Sequence, residues 1–103
     1  MIERIVLVKL VDAEANAASR RQLALDAERT IAKVPGVRRV RAGTPADRTV
    51  AGKWDLCIVV EFDDLDAVAR YSDDPVHRAF VDERLRPRVE VLKAWNFVTV
   101  EPD

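Results

Sequence analysis

A chain of 103 residues with 49% hydrophobic and 34% charged side chains fits one globular domain, residues 1–103, with a modest core. Its 17 basic residues against 18 acidic ones leave a formal charge of −1, too little to draw in nucleic acid or an anionic membrane. No apolar run approaches the roughly 20 residues that cross a bilayer, the Met1-Ile-Glu-Arg4 start lacks a signal-peptide layout, and the lone Cys57 cannot close an intrachain disulfide. The expected location is the cytoplasm.

Ile2 to Val11 holds Ile5-Val-Leu-Val8, a β-branched apolar run that predicts a strand. Ala15 to Val34 predicts a helix, because Leu23, Ala27, Ile31 and Val34 recur at helical spacing with charges between them. Pro35-Gly36 ends it, since proline cannot extend the ladder and glycine accepts the turn. Val37 to Gly43 suits a charged strand, and Thr44 to Lys53 reads as a polar loop. Trp54 to Phe62, centred on Leu56-Cys-Ile-Val-Val60, predicts a second strongly apolar strand. Asp63-Asp64 caps a following helix on which Leu65, Val68 and Tyr71 share one side. Asp74-Pro75 marks another start, with aspartate as N-cap and proline at the first helical position. That helix carries Val76, His77, Phe80 and Val81 and stops at Pro87; Val91 to Val100 forms the last strand.

The order is βαββαβ, with strands one and three far more apolar than two and four. An α+β, ferredoxin-like antiparallel sheet with helices on one face places those two strands centrally. Two helices cover one face only, and each large side chain left in water on the other costs roughly 1.5–3 kcal/mol. A second copy of the sheet, packed face to face, is the expected cover, with Trp95 and Phe97 adding aromatic area. The chain is therefore expected to form a homodimeric α/β barrel.

Chemistry concentrates in Tyr71-Ser-Asp-Asp-Pro-Val-His77-Arg-Ala-Phe80, which holds the only tyrosine and the only histidine. A histidine has an ordinary pKa near 6.5, suited to removing a proton at neutral pH. A tyrosine can donate to a carbonyl or enolate oxygen. The alternative is structural: His77 as a capping or surface residue, and Tyr71 as a core aromatic. Arg4, if it points inward, can hold a carboxylate or phenolate through bidentate bonds; otherwise it is a surface arginine paired with an acid. Asn96, between Ala94 and Val98, reads as a buried amide in need of a partner such as His77, a ligand or water. Arg38-Arg39-Val-Arg41 reads as a charged edge strand rather than a nucleic-acid surface, because no aromatic interleaves with it. Cys57 reads as an inert core thiol, and helix capping accounts for the acidic cluster Glu61, Asp63, Asp64 and Asp66.

Several short motifs in order resemble one family. They are Ile5-Val-Leu-Val-Lys9, Val34-Pro-Gly-Val37, Trp54-Asp-Leu56, Tyr71-x3-Pro75-x-His77-x2-Phe80 and Trp95-Asn-Phe97. Together they are similar, nearly end to end, to the stress-responsive dimeric α/β-barrel (Dabb) family. The resemblance implies a ferredoxin-like protomer paired across a two-fold axis, consistent with the burial argument. It implies no metal and no cofactor. One plant member, olivetolic acid cyclase, closes a linear polyketide by aldol condensation, and its catalytic histidine and tyrosine align with His77 and Tyr71. Other members have no assigned activity, and related barrels are cofactor-free monooxygenases. Three functions follow from the resemblance: a cyclase- or isomerase-type enzyme on a small aromatic or polyketide-like molecule, a non-catalytic stress-response or ligand-binding dimer, and a monooxygenase of phenolic substrates. In the first, His77 is the base, Tyr71 the hydrogen-bond donor, and Arg4, Asn96 and Phe80 contact the substrate. The chain departs from the family pattern at Arg4, often histidine, at Asp74, commonly histidine, and at Asn96, often aspartate.

Overall fold

The computed structural model describes residues 1–102. Strands β1 (Ile2–Leu10), β2 (Arg39–Gly43), β3 (Leu56–Phe62) and β4 (Val89–Val98) form one antiparallel sheet in the order β2-β3-β1-β4. The two apolar strands are the central ones, as their composition predicts. Helices α1 (Ala17–Ile31), α3 (Leu65–Asp73) and α4 (Pro75–Phe80) supply residues to the core on one face, and a helical turn α2 (Arg48–Ala51) lies in the β2–β3 connection.

Alternation along the central strands decides what each face does. Ile2, Val8 and Leu10 of β1 and Leu56, Ile58, Val60 and Phe62 of β3 are buried, and they join Leu23, Ala27 and Ile31 of α1 and Val68 and Tyr71 of α3 in one core. The odd-numbered residues of β1 and β3 point the other way. In register across the sheet, Val59 opposes Ile5, Ile5 opposes Trp95, and Glu3 opposes Phe97. The short α2 reaches one end of that face, where Val50 borders a pocket with Leu7 and Cys57, but Trp95 and Phe97 remain 49% and 55% exposed.

Local chemistry sets the boundaries. Asn16 caps α1 by accepting from the Ser19 amide at 2.9 Å, and Asp64 caps α3 by accepting from the Ala67 amide at 2.8 Å. Gly36 takes φ +92° in the turn after α1, a conformation that strains any side chain bearing a Cβ. The segment read as a polar loop, Thr44 to Lys53, contains α2. Asp47 holds that turn, accepting from the Thr49 amide at 3.0 Å and the Thr49 hydroxyl at 2.6 Å. The last helix does not run unbroken to Pro87: α4 ends at Phe80, a π-helical turn covers Val81–Leu85, and a 3-10 turn covers Arg86–Arg88. As expected for an edge, β2 is charged, and its flank pairs Arg38 with Asp63 at 2.7 Å.

Among the described residues Asp55 is the buried charge of the fold, and its partners are not evident from the sequence motif that contains it. One carboxylate oxygen accepts from the Leu10 amide at 2.7 Å, and the other accepts from Arg20 Nε at 2.8 Å with Nη2 at 2.7 Å. The Asp55 amide donates back to the Val8 carbonyl at 2.8 Å. These bonds join the end of β1, the start of β3 and the first turns of α1. With its side chain 4% exposed, removal of the carboxylate strands the Arg20 guanidinium against the core. Asp55→Ala is expected to lower unfolding free energy by about 3–5 kcal/mol. Urea denaturation followed by far-UV circular dichroism checks this, and a loss below about 1 kcal/mol would show the pair to be dispensable.

Candidate functional site

Tyr71 and His77 meet because the chain breaks between them. Residues six apart on an unbroken α-helix point about 120° away from each other. Asp74 instead adopts an extended conformation, φ −66° and ψ 133°, which ends α3. Its side chain then accepts from the Val76 amide at 2.8 Å to start α4 over Pro75. The change of direction lays the two rings against each other, with centroids 4.0 Å apart and planes tilted by 39°. On its other side Tyr71 packs edge-on to Phe62, centroids 5.0 Å apart.

These rings border a cavity of about 190 Å³ between the sheet and the helical layer. Val6 of β1, Ile58 of β3 and Ala94 of β4 form its floor, and Ile31, Phe80, Val81 and Leu85 line it from the helical side. The π-helical turn helps to build this wall, because its wider winding brings residues five apart, Phe80 and Leu85, nearer to one side than an α-helix does. Arg4 and His77 supply the basic groups of the lining.

Four of the five residues singled out from the sequence therefore come together: His77, Tyr71, Phe80 and Arg4. The fifth, Asn96, sits beside them rather than among them. It opposes Arg4 across the β1–β4 ladder and accepts from Arg4 Nη1 at 3.0 Å. The amide is exposed and not buried, because β4 is an edge strand with little above this position. Cys57 is likewise outside the core. It points to the uncovered face, partly exposed, with its thiol pushed up by desolvation and so poorly ionised. The sequence reading missed Val6, Leu92 and Ala94, which strand alternation places on the same face as Arg4.

Burial tunes the pair towards neutrality from both directions. Desolvation raises the Tyr71 hydroxyl to about 12 against a smaller opposing pull from the Arg4 charge. His77 is lowered, first by desolvation. The Ser72 carbonyl opposes this, Arg4 adds to it, and Asp74 and Arg78 make smaller contributions of opposite sign. Nδ1 of His77 lies 3.4 Å from the Ser72 carbonyl oxygen, a long contact that favours the proton on Nδ1 and leaves the Nε2 lone pair free. At neutral pH the cavity wall thus presents a neutral base, a neutral hydroxyl donor and one fixed cation. Among the described residues, no three His, Cys, Asp or Glu side chains gather where they could hold a metal ion. No helix is long and apolar enough to cross a membrane.

Comparison with known proteins agrees with this architecture. A Dabb family protein with a ferredoxin-like fold from Mesorhizobium loti is 25% identical, with a TM-score of 0.79 and coverage of 97% of each chain. A dimeric ferredoxin-like protein from Bacteroides fragilis is also 25% identical, with a TM-score of 0.72 and 93% of each chain covered. The hydroxynitrile lyase of Passiflora edulis shares the fold at 15% identity and a TM-score of 0.78, over 99% of this chain and 95% of that one. No curated protein sequence matches. Residues 2–99 match the Stress responsive A/B Barrel Domain, so the chain belongs to the Dabb family.

Proposed function

We propose that this protein is a homodimeric, cofactor-independent enzyme that binds a small aromatic or polyketide-like carbonyl compound and moves a proton at the carbon next to the carbonyl. The observation that carries this reading is the contact of His77 and Tyr71, rings 4.0 Å apart, on the wall of one apolar cavity of about 190 Å³. An engineered cavity of about 150 Å³ is enough to take up benzene, so this one suits a single substituted ring or a short folded chain. Nε2 of His77 takes the α-proton, and the electron pair of the broken C–H bond passes to the carbonyl oxygen as an enolate. The Tyr71 hydroxyl, which keeps its own proton to about 12, donates to that oxygen. The enolate then attacks a second carbonyl or is reprotonated, giving cyclisation or isomerisation. The same fold carries a hydroxynitrile lyase in Passiflora edulis, which supports an enzyme on this scaffold.

Dimerisation through the uncovered sheet face is part of the proposal. Ile5, Leu7, Val59, Trp95 and Phe97 share that face, and the Bacteroides fragilis relative is dimeric. Light scattering is expected to give about twice 11.6 kDa for the native chain. Trp95→Glu with Phe97→Glu is expected to give the single mass with the fold retained. A native chain that scatters as 11.6 kDa at every workable concentration refutes the dimer.

Catalysis is tested by deuterium uptake from D2O into the α-carbon of phenylacetone, followed by NMR. His77→Ala is expected to slow uptake by about 100-fold or more with folding and mass unchanged. Tyr71→Phe is expected to slow it by about tenfold or more. If His77→Ala binds the ketone and exchanges it as fast as the native chain, the protein is a binding module and not an enzyme.

The pH profile gives a separate check. His77 loses its lone pair on protonation, and its folded pKa lies below the ordinary 6.5, so the acid limb of the rate is expected below pH 6.5. The corresponding stability change has the same direction. Stability is retained above 6.5 and falls with acidification through the folded value, because the unfolded chain takes up the proton first. An NMR titration of the imidazole that returns 6.5 or higher contradicts the assignment of a desolvated base.

A further inference from the structure

Among the described residues, Arg4 is a cation at an apolar cavity that pairs with no acid. Its strand is central, its side chain lines the cavity, and its observed partner is the neutral amide oxygen of Asn96 at 3.0 Å. Arg20, Arg84 and Arg88, by contrast, each pair with a carboxylate, those of Asp55, Asp26 and Glu14. Among the residues lining the cavity there is no aspartate or glutamate.

We propose that Arg4 is a specificity-determining residue that selects an aromatic carboxylate as the cavity's ligand, with Asn96 as the positioning residue. This inference rests on the small-ring reading of the cavity given above. A guanidinium carries five N–H donors in a planar fork, and the bond to Asn96 engages one nitrogen. The remaining edge matches a carboxylate, whose two oxygens accept in parallel. A single cation balances one negative charge, which fits a monocarboxylate and falls short of a phosphate. The apolar surround of Val6, Phe80 and Leu92 fits the ring. Asn96 restricts the guanidinium without neutralising it. An aspartate there would satisfy Arg4 internally and take the place of the ligand's carboxylate.

The test compares benzoate with benzamide, which have nearly the same shape and differ in charge, by titration with calorimetry and amide-resolved NMR. The native chain is expected to bind benzoate about tenfold or more tightly than benzamide. Arg4→Gln is expected to bring the two affinities to near equality, and Arg4→Lys to restore part of the preference. Asn96→Asp, an exposed change with no loss of volume, is expected to weaken benzoate by about tenfold while leaving benzamide within about twofold. Equal affinities in the native chain overturn the inference, as does a preference that survives both Arg4→Gln and Asn96→Asp. If phenylacetone still exchanges at His77 while benzoate shows no advantage, the anion inference falls and the catalytic reading stands. If neither benzoate nor benzamide binds, the small-ring cavity and the anion inference fall together.

Discussion

The structure depends on two central strands that are apolar in both directions. A strand presents alternate residues to opposite faces, and β1 and β3 place hydrophobic side chains on each. The helical layer satisfies one set, burying Val8, Leu10, Leu56, Ile58, Val60 and Phe62 to 2% exposure or less. The opposite set is only partly covered: Ile5, Leu7 and Val59 are half-buried and Trp95 and Phe97 largely exposed, where full burial of a large side chain is worth roughly 1.5–3 kcal/mol. The two faces therefore have separate tasks. One is a core with a cavity, and the other leaves Trp95 and Phe97 largely exposed, with charged side chains along the β2 edge that discourage open-ended pairing.

The cavity is a consequence of how the helical layer is interrupted. A continuous helix from Leu65 to Leu85 would turn Tyr71 and His77 apart and close over the sheet. Asp74-Pro75 prevents this by ending one helix and capping the next, and the π-helical turn after Phe80 widens the path before β4. The floor adds room, since Ala94 stands where a larger side chain would reach up beside Val6. Helix-breaking residues and a small strand residue thus create the void, and the chemistry-bearing side chains lie at its rim.

Much of this was legible because it depends on short-range patterns. The apolar runs Ile5–Val8 and Leu56–Val60 gave the central strands, and the caps at Asp64 and Asp74 gave the starts of α3 and α4. Arg4, Tyr71, His77 and Phe80 line one cavity, which decides between the alternatives the sequence leaves open only as to their placement. What escaped depends on partners far along the chain or on weak local signals. Asp55 looks like any acid before a strand; its meaning comes from Arg20, 35 residues away, and Leu10, 45 away. Helix α2 contains β-branched Thr49 and Val50, poor helix formers, and is held mainly by the Asp47 cap. Asn96 was read as buried from its apolar neighbours, which on an edge strand say nothing about what lies above them. Period-two alternation from Leu56 and Ile58 does place Cys57 on the open face, so that error lay in reading the strand as uniformly core.

The electrostatics of the rim favour one direction of charge. Desolvation holds His77 and Tyr71 neutral, and the Arg4 cation lowers both pKa values, making imidazolium harder to form and phenolate easier. A reaction that builds negative charge on the ligand is therefore matched by a fixed cation and a hydroxyl donor, whereas one that builds positive charge meets no carboxylate on the cavity wall. Asp74, Arg4 and Asn96 bear on the same balance. Asp74 serves as an N-cap, and its carboxylate acts only weakly on the imidazole beside it. Arg4 brings a permanent charge to the cavity, and Asn96 binds that charge without cancelling it. A hydroxyl donor and a cation with no carboxylate on the cavity wall are complementary to an enolate or a carboxylate, because both stabilise negative charge on oxygen.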